Sequence, residues 1–447
     1  MPTYVGTLGA DNINNAVSDV IYGLDGNDTI FSSFGGIVHI YGGQGEDTID
    51  YSDVAAGSAK IYGDDGADII DGGANNDEIY GGEDGDQITG WMGDDYIDGG
   101  RGNDQLYGND GFDTIYGGDG ADIIQGGAGE DIIDGGYGND WLDGGSGADI
   151  MIGGVGSDTF YVDHAGDYVE DSGMAGSGND LVIASVSFSL IDPDHASGRI
   201  EMLTLDGTAD INGIGNEIDN IIKGNSGANT LNGRGGADKM TGGAGDDRYY
   251  VDNAGDSVIE AAGEGNDVVY TYTSYQLAAG QHIETFSTTA LSGTGAINMT
   301  GNEVAQRING NNGDNRIYGG AGNDLLVGYA GNDNLEGQAG NDRLFGVSGA
   351  DKFIFRYATM ATAGADTIVD FDADDLIFVD HPTYAGALGA SSFRTGTEAL
   401  DADDRFMWDA PSKSLYFDAD GNGAASKVLI AVLENAYALS ADDIMMF

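Results

Sequence analysis

The chain has 447 residues, with 76 Asp and Glu against 16 Lys and Arg, for a formal charge of −60. That balance excludes nucleic acid as a partner, since phosphates are met by Lys and Arg, and it disfavours an anionic membrane surface unless a divalent cation bridges. Cysteine is absent, which removes disulfides and thiolate metal sites, and no apolar run approaches the ~18 residues of a membrane span.

In chain order, Met1-Pro2-Thr3-Tyr4-Val5-Gly6 lacks the basic and apolar stretches of a cleavable Sec signal. A glycine-rich repeat follows at once, at residues 6–14 with Asp11 and Ile13. Others run over 23–31 with Asp28 and Ile30, and over 42–50 with Asp47 and Ile49. The spacing slips at 32–40 and 51–62, which predicts bulged or wider coils; no domain is expected ahead of these repeats. Residues 63–161 then divide without an insertion into eleven nonapeptides. Gly opens each. Asp holds the sixth place throughout, at Asp68, Asp77, Asp86, Asp95, Asp104, Asp113, Asp122, Asp131, Asp140, Asp149 and Asp158. The eighth place is apolar and falls into two alternating rows: Ile70, Ile88, Leu106, Ile124, Leu142 and Phe160, and Ile79, Ile97, Ile115, Ile133 and Met151.

Such a unit is too short for a helix. A half-repeat like Gly126-Gly127-Ala128-Gly129 suits a tight turn, because Gly accepts positive φ without steric cost. The remainder suits a three-residue strand with its middle side chain inward. Two nonapeptides then make one coil, and each apolar row lines one sheet. The pattern G-G-x-G-x-D-x-U-x resembles that of RTX (repeats-in-toxin, haemolysin-type) proteins, which implies an all-β fold: a parallel β-roll or β-solenoid of calcium-binding nonapeptides.

The acids point to the same ion. Residues 63–161 hold 24 Asp and Glu and a single base, Arg101. Packed in coils they repel unless cations lie between them, and the thin core cannot alone offset the ordering entropy of so many Gly residues. Ca2+ takes six to eight oxygens from carboxylates and carbonyls in flexible geometry, which fits a sixth-place Asp beside exposed turn carbonyls.

Beyond residue 161 a longer repeat appears. Tyr161-Val162-Asp163 returns as Tyr250-Val251-Asp252, Gly178-Asn179-Asp180 as Gly265-Asn266-Asp267, Ile200-Glu201 as Ile283-Glu284, and Gly215-Asn216-Glu217 as Gly301-Asn302-Glu303. Each copy holds strand-rich segments, expected to form wider, calcium-free coils that continue the solenoid, and then a short roll. The first short roll carries Asp238 and Asp247, the second Asp324, Asp333, Asp342 and Asp351, all expected to hold Ca2+. The domains expected are therefore 1–161, 162–250, 251–354 and a β-rich cap at 355–447. The stretch from Asp366 to Asp372, and Leu415-Tyr416-Phe417-Asp418, are similar to the cap after the roll in secreted RTX enzymes. Asp442-Asp443 before an apolar tail ending at Phe447 resembles the uncleaved signal read by type I secretion machinery. Asp418-x-Asp420-x-Asn422-Gly423 matches half of an EF-hand loop, but Leu429 stands where the bidentate Glu belongs, so an acidic turn between strands is expected.

Catalytic patterns are missing. His39, His164, His195, His282 and His381 form no H-E-x-x-H, there is no G-x-S-x-G elbow, and no P-loop occurs. Gly255-Asp256-Ser257-Val258 is similar to a GDSL hydrolase box, yet its partner copy reads Gly166-Asp167-Tyr168-Val169. The resemblance therefore implies a secreted, extracellular or surface-associated Ca2+ protein without catalysis. Its expected role is structural, with self-assembly into filaments or a layer. A secreted effector, or an adhesin or pore-associated binding protein, is the alternative, and a hydrolase the more distant one.

Overall fold

The computed structural model describes residues 3–15, 18–33, 36–52, 57–171, 178–356, 364–380, 386–387, 390–401, 403–421, 423 and 426–446. Pro2, His381, Asn422 and Phe447 lie outside them. The chain forms two compact units, Met1–Asn225 and Ser226–Phe447.

In the first unit two parallel sheets face each other, as the two apolar rows predict. One begins with Thr3–Val5, Val20–Asp25 and Val38–Gln44 and runs through Thr114–Asp119 and Ile132–Tyr137 to Ala196–Ser197; the other includes Gln105–Asp110, Ile123–Ala128 and Trp141–Ser146. The chain alternates between sheets, so each strand pairs with the one two places on, and Leu106 sits beside Ile124 as Ile97 sits beside Ile115. All eleven eighth-place side chains from Ile70 to Phe160 are fully buried between the sheets. Full burial of each contributes roughly 1.5–3 kcal/mol, but they form only one layer.

The strands are longer than the expected three residues. Thr114–Asp119 has six, because main-chain pairing continues through Gly117-Gly118. Gly118 has φ +107°, and a Cβ there would strike the Gly100 carbonyl of the coil below. Only Gly lets the strand run on at that spacing. The early slips are wider coils: Thr29 pairs with Thr48 and Thr48 with Ile69, steps of 19 and 21 residues in place of 18. Outside the first sheet Tyr22, Tyr41, Tyr62 and Tyr80 stack at 4.9, 4.8 and 5.0 Å between ring centres.

The second unit repeats this architecture in strands such as Leu325–Ala330, Arg343–Ser348 and Asn334–Ala339. Its end is a cap. Asp366–Ile368 pairs with Val428–Leu433, and antiparallel strands Ser414–Phe417 and Phe406–Asp409 extend the sheet. The tail folds back too: Ile444–Met446 lies parallel to Leu376–Asp380, with Ile444 and Met446 buried.

Candidate metal centre

Each sixth-place Asp follows a turn and precedes an inward apolar residue, so its carboxylate sits under the turn. From Asp28 to Asp158, and at Asp238, Asp247, Asp324, Asp333, Asp342 and Asp351, these side chains are buried to 2% exposure or less. One oxygen has a fixed task. The main-chain N–H of Asp113 donates to Oδ1 of Asp131 (2.7 Å), that of Asp95 to Asp113 (2.8 Å), and that of Asp104 to Asp122 (2.8 Å). Two ladders result in the first unit. One climbs Asp11, Asp28, Asp47, Asp68, Asp86, Asp104, Asp122, Asp140 and Asp158; the other Asp77, Asp95, Asp113, Asp131 and Asp149.

The second oxygen is different. Oδ2 of Asp28, Asp47, every sixth-place Asp from Asp68 to Asp158, and Asp247, Asp324, Asp333 and Asp342 is buried with no hydrogen-bond partner among the described residues. A buried, unsatisfied carboxylate oxygen is expensive unless a cation meets it. Burial accordingly pushes these acids up from 3.8, to about 8 at Asp77 and Asp86 and to about 7 at Asp113, with the neighbouring carboxylates adding to the rise.

Glycine shapes the space around that oxygen. A Cβ on Gly108 would lie under 3.0 Å from both Asp113 Oδ2 and the Gly126 carbonyl oxygen; on Gly117 it would meet Asp122 Oδ2 and the Gly135 carbonyl in the same way. The opening Gly thus leaves a cradle lined by a carboxylate and a carbonyl from the next coil. Hard oxygen donors of both kinds, without nitrogen or sulfur, fit Ca2+.

Other rungs show how the ladder closes without a cation. Oδ2 of Asp167 accepts the N–H groups of Asp163 and His164, and Oδ2 of Asp256 those of Asp252 and Asn253. Asp11 belongs to this class, since its Oδ2 accepts the Thr7 N–H at 2.5 Å. Elsewhere an amide takes the rung. Asn315 accepts the Asn311 N–H through Oδ1 and donates through Nδ2 to the Ile297 carbonyl (3.1 Å); Gln306 does the same with Asn302 and Ile283. There the oxygen beside the opening Gly is satisfied by an N–H of its own turn, and the amide N–H reaches a carbonyl of the coil before, so the rung closes without a cation.

Sequence reading missed several rungs. Asp180, Glu201, Asp267 and Glu284 accept the N–H groups of Asp158, Asp180, Asp247 and Asp267, and Asp366 and Asp375 those of Asp342 and Asp351. The signal was the recurrence of Gly-Asn-Asp and Ile-Glu in the longer repeat. Coils expected to be calcium-free therefore carry acids on the same ladders, buried at Asp180 and Asp267 and half-buried at Glu201 and Glu284.

The remaining candidates have structural places. His195 bonds the Ala165 carbonyl through Nε2 (2.8 Å) and faces Asp192 through Nδ1 (3.1 Å), which engages both ring nitrogens. Ser257 stands exposed in Ser257–Ile259, with its N–H on the Asp238 carbonyl. Asp418 and Asp420 lie in the turn after Ser414–Phe417, which pairs antiparallel with Val428–Leu433, as expected of an acidic turn.

Nine segments, residues 16–36, 35–53, 55–88, 74–106, 107–136, 125–160, 214–249, 300–335 and 322–353, match the RTX calcium-binding nonapeptide repeat, and together they span more than half of the chain. No curated protein matches. Among solved structures the chain is similar to the extracellular lipase LipA from Serratia marcescens, at 15% identity and a TM-score of 0.21, over 61% of this chain. It spans 45% of that lipase's length.

Proposed function

The chain belongs to the family of RTX calcium-binding nonapeptide repeat proteins, and from that premise we propose that it is a secreted protein which folds on extracellular Ca2+ and serves a non-catalytic, structural role outside the cell. The observation that carries this reading is the rows of buried Asp Oδ2 atoms that have no hydrogen-bond partner among the described residues and that a cation would satisfy. Extracellular Ca2+ modules commonly bind at about 10⁻⁴–10⁻³ M, far above cytosolic levels, so the chain stays unfolded until exported. Residues 439–447 carry the type I export signal. Catalysis is left out because the carboxylates stand in cation-binding rows rather than as a pair with separated pKa values in a cleft.

The finer part of the proposal is Ca2+-dependent self-assembly. Among the described residues Thr3–Val5 pairs on one side only, with Val20–Asp25, and Tyr4 and Val5 are exposed. Such an edge is a template for another copy's strand, and a heterologous contact propagates when its rotation does not close. Ca2+ also offsets the −60 charge that keeps the chains apart. Light scattering and negative-stain images in about 5–10 mM Ca2+, above the affinities assumed here, test it. Filaments or sheets that require residues 2–28 are expected; a monomer at that concentration, or assembly indifferent to their deletion, refutes it.

A further inference from the structure

Where the nonapeptides give way to the longer repeat, three acids converge in each unit. Asp158, Asp171 and Asp180 each bring one carboxylate oxygen within 4.8 Å of the others, and Asp247, Glu260 and Asp267 do the same. All six are buried to 2% exposure or less. The clusters occupy matching places. Asp247 follows Asp158 by 89 residues and Glu260 follows Asp171 by 89, while Asp267 stands in the Gly-Asn-Asp that repeats that of Asp180. One copy uses Asp and the other Glu at the middle position, yet both keep a carboxylate there.

The carboxylates are held with an oxygen to spare. Asp158 Oδ1 accepts the Asp140 N–H (2.9 Å), Asp180 Oδ1 that of Asp158 (2.8 Å), and Asp247 Oδ1 that of Asn229 (2.6 Å). Glu260 Oε2 accepts a hydrogen bond from the Tyr249 hydroxyl. The other oxygens, Asp158 Oδ2, Asp180 Oδ2, Asp247 Oδ2 and Glu260 Oε1, are buried with no hydrogen-bond partner among the described residues. Asp171 follows strand Tyr168–Glu170 and Glu260 follows Ser257–Ile259, so neither belongs to a nonapeptide.

We infer that these two clusters are a second class of divalent-cation site, one per unit, in which Asp171 and Glu260 add a third carboxylate to a ladder pair. Three negative charges in one buried space attract a cation more strongly than the pair of an ordinary coil. Charge count among oxygen ligands also tunes Ca2+ affinity over orders of magnitude. The two sites therefore fill first, about tenfold or more below the concentration that loads the roll. They secure the junction coils, where steps of 22 residues from Asp158 to Asp180 and 20 from Asp247 to Asp267 break the 18-residue period.

This inference rests on the calcium reading above but fails separately from it. The test is Ca2+ titration of the full chain by calorimetry and equilibrium dialysis. Two tight equivalents are expected before the main phase, with Asp171→Asn and Glu260→Gln each removing one and leaving the main phase in place. Both variants are compared with the parent in about 10 mM Ca2+, a concentration that loads ordinary extracellular sites, where equal circular dichroism establishes folding. Tb3+ added to the Ca2+-loaded parent supplies a reading free of any substitution. The first two equivalents should displace two Ca2+, and the second cluster's ion should luminesce on excitation of Tyr249. Unchanged early binding in both variants, or Tb3+ distributed over all sites without a break at two equivalents, overturns the inference. Absence of all Ca2+ binding in the parent would overturn the calcium reading as well.

Discussion

At Asp113 the two carboxylate oxygens do different work, and substitutions separate them. Oδ1 caps the Asp95 N–H, and Oδ2 faces the cradle under Gly108. Asp113→Asn keeps one oxygen for the cap and loses the cation oxygen. Asp113→Ala loses both and leaves a buried N–H without its partner, at a further cost of about 1–3 kcal/mol. Calcium titration followed by circular dichroism should therefore show a raised midpoint for Asp113→Asn, a higher one for Asp113→Ala, and little change for Asp110→Asn, whose side chain is exposed. Gly108→Ala should also raise the midpoint, because its added methyl occupies the cradle, whereas Gly9→Ala meets nothing within 4 Å and should not.

The same residues set a pH dependence. Without cation, burial lifts Asp95 and Asp104 to about 6 and Asp77 and Asp86 to about 8, from 3.8. The folded chain then holds protons that the unfolded chain releases, so this contribution to stability is complete below about pH 4 and is lost as pH rises to about 8. In chelator, β structure should be greater at pH 5 than at pH 8, values inside that window. With Ca2+ the order reverses, because protons compete for the same oxygens, and the midpoint concentration should rise as pH falls. Equal β content at both pH values in chelator would contradict this.

At the scale of the strand, the period was readable and its interruptions were not. Eleven repeats in register predicted both rows, from Ile70 to Phe160 and from Ile79 to Met151, and the structure places every one inside. Strand length was missed, because pairing through Gly118 depends on how closely the coils approach rather than on side-chain alternation. Asp180 and Asp267 were missed as rungs because their steps break the period. The cap was legible only as strand-rich: nothing local tells Asp366–Ile368 to pair with a strand sixty residues on. The tail, read as an export signal, is also a strand. Removing residues 439–447 should therefore lower the melting temperature in Ca2+ as well as block export. Ile444→Ala and Met446→Ala keep the tail and lose burial, at about 2–5 kcal/mol each for large-to-small core changes. They should melt earlier yet still leave the cell; normal export of the truncated chain would remove the signal from this segment.

At the scale of the whole molecule, stability is a matter of mass action. A core one side chain thick has to offset the backbone entropy of a chain containing 79 Gly. Each independent site adds about 2.7 kcal/mol when Ca2+ stands a hundredfold above its Kd. On the proposed reading, many such sites would turn an unstable acidic chain into a stable fold, over a narrow range of concentration because neighbouring coils share their rungs. The measurement that tests this most directly is far-ultraviolet circular dichroism of the full chain in excess chelator and in millimolar Ca2+, a level that fills typical extracellular sites. A disordered spectrum in chelator and a cooperative gain of β signal on adding Ca2+ are predicted; the same β content in both would contradict the account.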